Sequence, residues 1–284
     1  MHDVEILRYA AFSTRPDGGN PAGVVLDAAG LTDDDMQRIA AEVDFAETAF
    51  VTGPAEGGGV HVRYFSPIAE VPFCGHATIA TAIALTERGR AGGDGAIVFE
   101  TPVGPVRIEV TSDLDGLQAT FTSIPPSVAE LPDADLAAIL ELLGLAVADF
   151  DPALPPRLVD AGSPHPIVAV AAQSVFDGFG FDPDAVRALM DARGWPATIT
   201  IVHRTGPDRF VARNLFPVGR ITEDPATGSA AAALGAHLRA LRAVPLPARI
   251  EIAQGAHVGR PGVLRVEIPA TGGIRVSGNA VSMD

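Results

Sequence analysis

A chain of 284 residues with 47% hydrophobic side chains has material for about two domains, each with a core of its own. Twenty basic against 35 acidic residues leave a formal net charge of −15, which argues against nucleic acid or an anionic membrane surface as partner. Every basic residue is arginine, so a lysine Schiff base and a phosphate-loop lysine are excluded, and a single cysteine excludes an intrachain disulfide or a cysteine-based structural zinc site.

In chain order, the apolar runs predict a strand over about residues 4 to 12, a glycine-rich turn at Asp17 to Asn20 and a strand over 22 to 27. A helix follows from Thr32, an N-cap residue, to about Val43. Strands are expected near 46 to 52 and 60 to 65, then a loop, Pro72-Phe73-Cys74-Gly75-His76-Ala77-Thr78, that runs into a helix stopped by Gly89. Strands near 96 to 101 and 105 to 111 complete the unit. A second unit repeats the pattern, with a helix at about 183 to 193 and a loop, Glu223-Asp224-Pro225-Ala226-Thr227-Gly228-Ser229-Ala230, leading into a helix that ends near Leu241. Paired strands near 248 to 253 and 263 to 268 close it. No charge-free apolar run reaches the ~20 residues that cross a bilayer, and the N-terminus lacks a signal pattern, so a soluble, cytoplasmic protein is expected.

The repetition is visible in the residues themselves. Arg63-Tyr64-Phe65-Ser66-Pro67 returns as Arg213-Asn214-Leu215-Phe216-Pro217, and Gly104-Pro105-Val106-Arg107-Ile108-Glu109-Val110 returns as Gly262-Val263-Leu264-Arg265-Val266-Glu267-Ile268. Gly19-Asn20-Pro21-Ala22-Gly23-Val24-Val25 has a weaker echo in Gly162-Ser163-Pro164-His165-Pro166-Ile167-Val168. One unit has been duplicated with a period of roughly 150 residues, far too long for a solenoid, so two similar domains facing a cleft are expected. The two loop-borne helices, Ala77 to Leu85 and Ala230 to Leu234, are apolar or small on nearly every face and should be buried all round, as a helix wrapped by a curved sheet would be. Their free ends carry the two loops and point backbone N–H groups at an anion.

Glu47 stands in an otherwise apolar strand, where a carboxylate partly stripped of water suits a group that takes and returns a proton; pairing with Arg63 or Arg213 is the plainer alternative. His76 could donate a hydrogen bond to substrate, or cap its helix, or pack as a neutral imidazole. Asp224 is a candidate acid or base, or a cap for the turn that follows it, and Ser229 a candidate polar contact, or merely the first polar residue of a helix. Gly75 and Gly228 let backbone amides approach a carboxylate without a Cβ in the way. Cys74 sits where a helix N-terminus would stabilise a thiolate, although inert buried cysteines are common. The histidines show no close ligand pairing, and no metal is expected.

Asn20-Pro21 ahead of a valine strand, Asp44 to Val51 with Glu47, Cys74-Gly75-His76-Ala77-Thr78 and Glu223 to Ala230 together resemble the PhzF-type phenazine-biosynthesis isomerase family, in order over nearly the whole chain. The resemblance implies an α+β, diaminopimelate-epimerase-like fold: two pseudo-symmetric domains, each a β-barrel-like sheet around a central α-helix, over residues 1–122 (with about 272–284 returning to it) and 123–271, and an active site between them. It implies a cofactor-independent isomerase that moves a proton between carbons of a small carboxylate substrate of the dihydro-hydroxyanthranilate type. Glu47 would match the acid/base, His76, Asp224 and Ser229 its polar partners, and Asn20, Gly75, Ala77, Gly228 and Ala230 the substrate-binding positions. A homodimer is implied as well. The related epimerases use two thiols, and with Cys74 alone that route is excluded. A single-thiol epimerase or dehydratase using Cys74, and a non-catalytic small-molecule-binding protein on the same scaffold, remain as alternatives.

Overall fold

The computed structural model describes residues 4–91 and 95–284. It forms two units, Met1–Thr122 with Ser277–Asp284, and Ser123–Val276. The first carries β1 (Leu7–Ala11), β2 (Asn20–Val25), α1 (Asp33–Val43), β3 (Glu47–Pro54), β4 (Val60–Phe65), β5 (Glu70–Val71), α2 (Gly75–Glu87), β6 (Ala96–Thr101), β7 (Gly104–Asp113) and β8 (Gly116–Thr122). The second carries β9 (Ser127–Glu130), α3 (Asp133–Leu143), β10 (Arg157–Asp160), β11 (Pro164–Val170), α4 (Gln173–Gly178), α5 (Pro183–Arg193), β12 (Ile199–Arg204), β13 (Arg209–Leu215), β14 (Glu223–Asp224), α6 (Gly228–Ala240), β15 (Ala248–Gln254) and β16 (Gly262–Ile268). The last strand, β17 (Arg275–Ser282), carries the chain back into the first unit.

In the first unit the pairing order β17–β1–β2–β3–β4–β6–β7–β8 returns from β8 to β17, so the sheet closes on itself and leaves no open edge among these strands. Such a ring needs an apolar filling, and α2 supplies it. Every residue from His76 to Leu85 is buried, with Ile79, Ile83 and Leu85 among the largest fully buried side chains. Burial of each of these three is worth about 1.5–3 kcal/mol. The helix also contains Thr78 and Thr81, whose hydroxyls would be costly in this setting; they donate to the carbonyls of Cys74 and Ala77 at 2.8 and 2.7 Å. β2 and β3 are parallel and therefore need a crossover. α1 provides it, started by a reciprocal capping box between Thr32 and Asp35 and laid by Met36, Ile39, Ala40 and Val43 onto Val25, Phe50 and Phe65.

The second unit repeats the connections. β10–β11 are antiparallel, β11–β12 parallel, β12–β13 antiparallel, β13–β14 antiparallel, β13–β15 parallel and β15–β16 antiparallel, matching β1–β2, β2–β3, β3–β4, β4–β5, β4–β6 and β6–β7 one for one. Like α2, α6 spans thirteen residues and is buried from Ala230 to Leu238. Around Val168, Ile199 and Ile201 a second core layer forms with Ile139, Phe176, Val186 and Met190. Its helix α3 was not anticipated from the sequence, nor were β8, β9, α4 and β17.

Candidate active site

Glu47 is the first residue of β3, opposite Ala22 of β2. α1 ends in Asp44, whose left-handed backbone (φ 55°) turns the chain sharply enough for the next strand to begin three residues later. The loop before α2 is held by Phe73, whose ring meets Tyr64 and Phe121 edge-on, each at a centroid distance of 5.9 Å, and by the Tyr64 hydroxyl on Thr78 Oγ1 at 2.7 Å. These contacts fix Cys74 and His76 beside Glu47. Cys74 Sγ donates to Glu47 Oε2 at 3.4 Å and lies 3.3 Å from His76 Nδ1. His76 Nε2 lies 3.4 Å from the same carboxylate oxygen.

The proton positions follow from the partners. The Asn20 amide nitrogen, which can only donate, stands 3.1 Å from His76 Nδ1, so Nδ1 carries the lone pair and Nε2 the hydrogen. That N–H faces Glu47. Burial pushes His76 down to about 3, so at neutral pH its contact with Glu47 is a neutral donor on a carboxylate and not an ion pair. The thiol, imidazole and carboxylate atoms lie within 4.8 Å of one another, the spacing of a ligand set. With Nε2 protonated, however, the ring offers Glu47 a hydrogen and offers an ion no lone pair there.

Neither arginine that could have neutralised Glu47 does so. Arg63 grips Glu70 through Nε and Nη2, each at 2.7 Å, and Asp33 at 2.6 Å, while Arg213 holds Glu223 at 2.6 Å. Nor does His76 cap its helix: Cys74 occupies the N-cap position, without a side-chain capping bond. The first backbone bond of α2 is Thr78 N to Cys74 O at 3.0 Å, so the amides of Gly75, His76 and Ala77 have no acceptor within the helix.

The second loop is braced by amide chemistry where the first uses aromatic rings. Gln254 on β15 donates to the Asp224 carbonyl at 2.7 Å and to Thr227 Oγ1 at 3.0 Å, and its own Oε1 accepts from Thr227 N at 3.3 Å. Thr227 Oγ1 in turn donates to Asp224 Oδ2 at 2.6 Å. Asp224 is therefore buried and tied to its own loop, and Thr227 is the N-cap of α6. Ser229 is more than the first polar residue of its helix, because its hydroxyl lies 3.0 Å from Nε2 of the fully buried His165. The amides of Gly228, Ser229 and Ala230 precede the first backbone bond of α6, from Ala231 to Thr227.

Asn20, Glu47, Cys74 and His76 thus form one cluster in the first unit, beside the amides of Gly75 and Ala77. Asp224, Gly228, Ser229 and Ala230 share the second loop. His165 was not among the expected site residues, although a histidine in the otherwise apolar run Pro164 to Val170 was the signal that could have marked it.

A family model described as "Phenazine biosynthesis-like protein" matches residues 9–284. An uncharacterized isomerase of Deinococcus radiodurans is 36% identical over 96% of this chain and 90% of its own. The trans-2,3-dihydro-3-hydroxyanthranilate isomerase of Pseudomonas aeruginosa is 32% identical over 96% of this chain and 94% of its own. Among solved structures, a PhzF-family phenazine biosynthesis protein of Bacillus anthracis superposes with a TM-score of 0.89 at 27% identity, covering 100% of this chain and 98% of that one. The closed strand ring around α2, the carboxylate–imidazole cluster at its N-terminus and these likenesses along the whole chain agree: the protein belongs to the phenazine biosynthesis-like (PhzC-PhzF) family.

Proposed function

We propose that this isomerase moves a proton between two carbons of a small carboxylate substrate of the dihydro-hydroxyanthranilate type, with Glu47 as the group that takes the proton and gives it back. The observation that carries the proposal is the setting of Glu47: a carboxylate whose side chain is only 14% exposed, held at Oε2 by the Cys74 thiol and faced by the His76 N–H. A carboxylate so placed needs no metal or organic cofactor to act as a base. It removes a proton from one ring carbon, the electron pair shifts along the conjugated system, and the protonated Glu47 delivers the same proton to another carbon on the same face. The amides of Gly75, His76 and Ala77 are available to the substrate carboxylate, and the low exposure of the cluster limits loss of the proton to water. In the second unit, considered by itself, the Ser229 hydroxyl and the amides of Gly228 and Ala230, with Asp224 beside them, are the polar groups we assign to substrate recognition.

The test uses trans-2,3-dihydro-3-hydroxyanthranilate as probe, in deuterated solvent, with conversion and deuterium uptake followed by NMR. Conversion that depends on Glu47 supports the reading. Binding without conversion or exchange by the unaltered protein removes it.

A second reading has one observation in its favour: the Cys74 thiol donates to Glu47 Oε2 at 3.4 Å, close enough for the carboxylate to take its proton. In that case Cys74 is the base and Glu47 its partner. Cys74→Ala separates the two, since turnover that survives the change excludes the thiol route.

A further inference from the structure

His165 belongs to a buried chain of polar side chains that runs from the α6 N-terminus into the sheet of the second unit. Its Nε2 meets Ser229 Oγ at 3.0 Å; its Nδ1 meets the Thr198 carbonyl oxygen at 3.2 Å and Thr198 Oγ1 at 3.0 Å. Both Thr198 Oγ1 and Thr200 Oγ1 donate to Asn214 Oδ1, at 2.8 and 2.7 Å. A carbonyl oxygen can only accept, and the Thr198 hydroxyl has its hydrogen committed to Asn214. Both neighbours of Nδ1 therefore require it to carry the ring hydrogen, which leaves Nε2 with the lone pair. The ring is fully buried, and burial pushes it down to about 4, so it is neutral across the physiological range. With Nε2 bare, the hydrogen in the Nε2–Ser229 contact has to come from serine.

We propose that His165 is a positioning residue that turns Ser229 into a hydrogen-bond acceptor: it holds the Ser229 hydroxyl proton, so the substrate group that meets Ser229 is a donor, an amino N–H or a hydroxyl. This rests on the proposed role of Ser229 at the substrate. It also goes further, because it assigns a polarity to Ser229 and a chemical class to the group it recognises. No bond to carbon is made or broken in this step, and no proton leaves the serine.

The tautomer is read directly by nitrogen-15 correlation spectra of the imidazoles of the full chain at neutral pH, with the His165 signal assigned by its loss in His165→Gln. A hydrogen on Nδ1 and a bare Nε2 that shifts in Ser229→Ala are expected. A hydrogen on Nε2, or a charged ring, overturns the inference. Binding supplies the second arm, with benzoate, anthranilate and 3-hydroxybenzoate as probes. The unaltered protein should favour at least one donor-bearing ligand over benzoate by about tenfold, His165→Leu should shrink that preference, and His165→Gln, which keeps an acceptor facing Ser229, should restore part of it. Equal affinities for all three overturn the assignment of a donor group. Because neither arm uses turnover, failure of the isomerase reading in the exchange experiment leaves both results standing.

Discussion

The two loops are copies of one design and have diverged in what they can do. An Arg–Glu pair stands at the start of each, Arg63–Glu70 just before the first and Arg213–Glu223 at the first residue of the second, and each leads into a thirteen-residue buried helix that begins with glycine. Position for position, Cys74-Gly75-His76-Ala77 answers to Thr227-Gly228-Ser229-Ala230. The strands behind them correspond as well. In the first unit Ala22 lies opposite Glu47; in the second the parallel register of β11 on β12, continued two residues back, sets His165 beside Thr198, and their side chains do meet. Where one copy has alanine and a glutamate, the other has a histidine and a threonine. What duplication retained is the backbone: helix starts with amides that lack helical acceptors. What it did not retain is the titratable chemistry, since the carboxylate, thiol and N–H-bearing imidazole occur together in the first copy alone among the described residues, while the second uses its imidazole to aim a hydroxyl.

The sharpest way to break that contrast is to remove the carboxylate. Glu47→Gln keeps shape and hydrogen-bonding capacity but cannot accept a proton from carbon, so turnover of the dihydro-hydroxyanthranilate probe should fall by about 10²–10⁴-fold while benzoate binding persists. Unchanged turnover would place the base elsewhere and undo the division of labour between the copies.

The duplicated ion pairs come next, because the same chemistry stands in two dielectric settings. Arg63 and Glu70 side chains are 27% and 35% exposed; those of Arg213 and Glu223 are 8% and 9%. Arg213 also donates to the carbonyls of Phe176 and Phe179 at 3.2 and 3.0 Å and lies 3.7 Å from the Phe179 ring centroid. Arg213→Met strands a buried Glu223 and should cost about 3–5 kcal/mol in urea unfolding. Arg63→Met should cost about 0–1 kcal/mol for each of the partners it leaves in water. Equal losses would show that burial is not what separates the two pairs.

Acid should weaken the units unequally. Burial holds His76 near 3 in the first unit and His165 and His237 near 4 in the second, all below the ordinary histidine value of about 6.5. A depressed folded-state value means that the unfolded chain binds the proton first, so the stability these rings contribute is complete above about pH 6.5 and is lost as pH falls toward 4. Each titrating ring adds a slope of at most about 1.4 kcal/mol per pH unit. Denaturation series at pH 7, 6 and 5 should show a fall that His165→Gln with His237→Gln makes shallower; a slope indifferent to both changes would mean that other groups govern acid sensitivity.

Much of this architecture was legible because it rests on local chemistry. Thr32 ahead of an apolar-periodic run marked α1, and the structure shows the capping box. The unbroken small and apolar run after Cys74 marked a helix with no solvent face, and the ring of strands around α2 is the physical answer to it. Glu47 stood out as a carboxylate among apolar neighbours. No local pattern marked the strand that closes the ring, since pairing between residues 9 and 282 leaves none; only the family resemblance implied that about 272–284 returns to the first domain. His165 was hidden for a related reason: its partners come from α6 and the residue before β12, and only the weak echo of Gly19 to Gly23 hinted that the position was special. For Asp224 the sequence offered an acid or base or a cap for the turn after it, whereas the brace from Gln254, thirty positions further on, left no local pattern.

The smallest test concerns how closely each sheet approaches its central helix. At the eighth residue of α2 stands Ala82, fully buried; at the eighth of α6 stands Gly235. A Cβ at Gly235 would come 2.9 Å from Ile274 Cγ2 and 3.0 Å from Val266 Cγ1, so these side chains must give way by a few tenths of an ångström. Helix propensity favours alanine by about 1 kcal/mol, and overpacking costs about 1–3 kcal/mol, so Gly235→Ala should be destabilising by roughly 1 kcal/mol once the two are set against each other. Ala82→Gly has no such offset: it loses the propensity and opens a methyl-sized gap, for a cost of about 1–2 kcal/mol. Paired urea midpoints decide the matter. Stabilisation by Gly235→Ala would mean that Ile274 and Val266 relax freely, and that the glycine in the second copy reflects the history of the duplication and no closer packing of its strands.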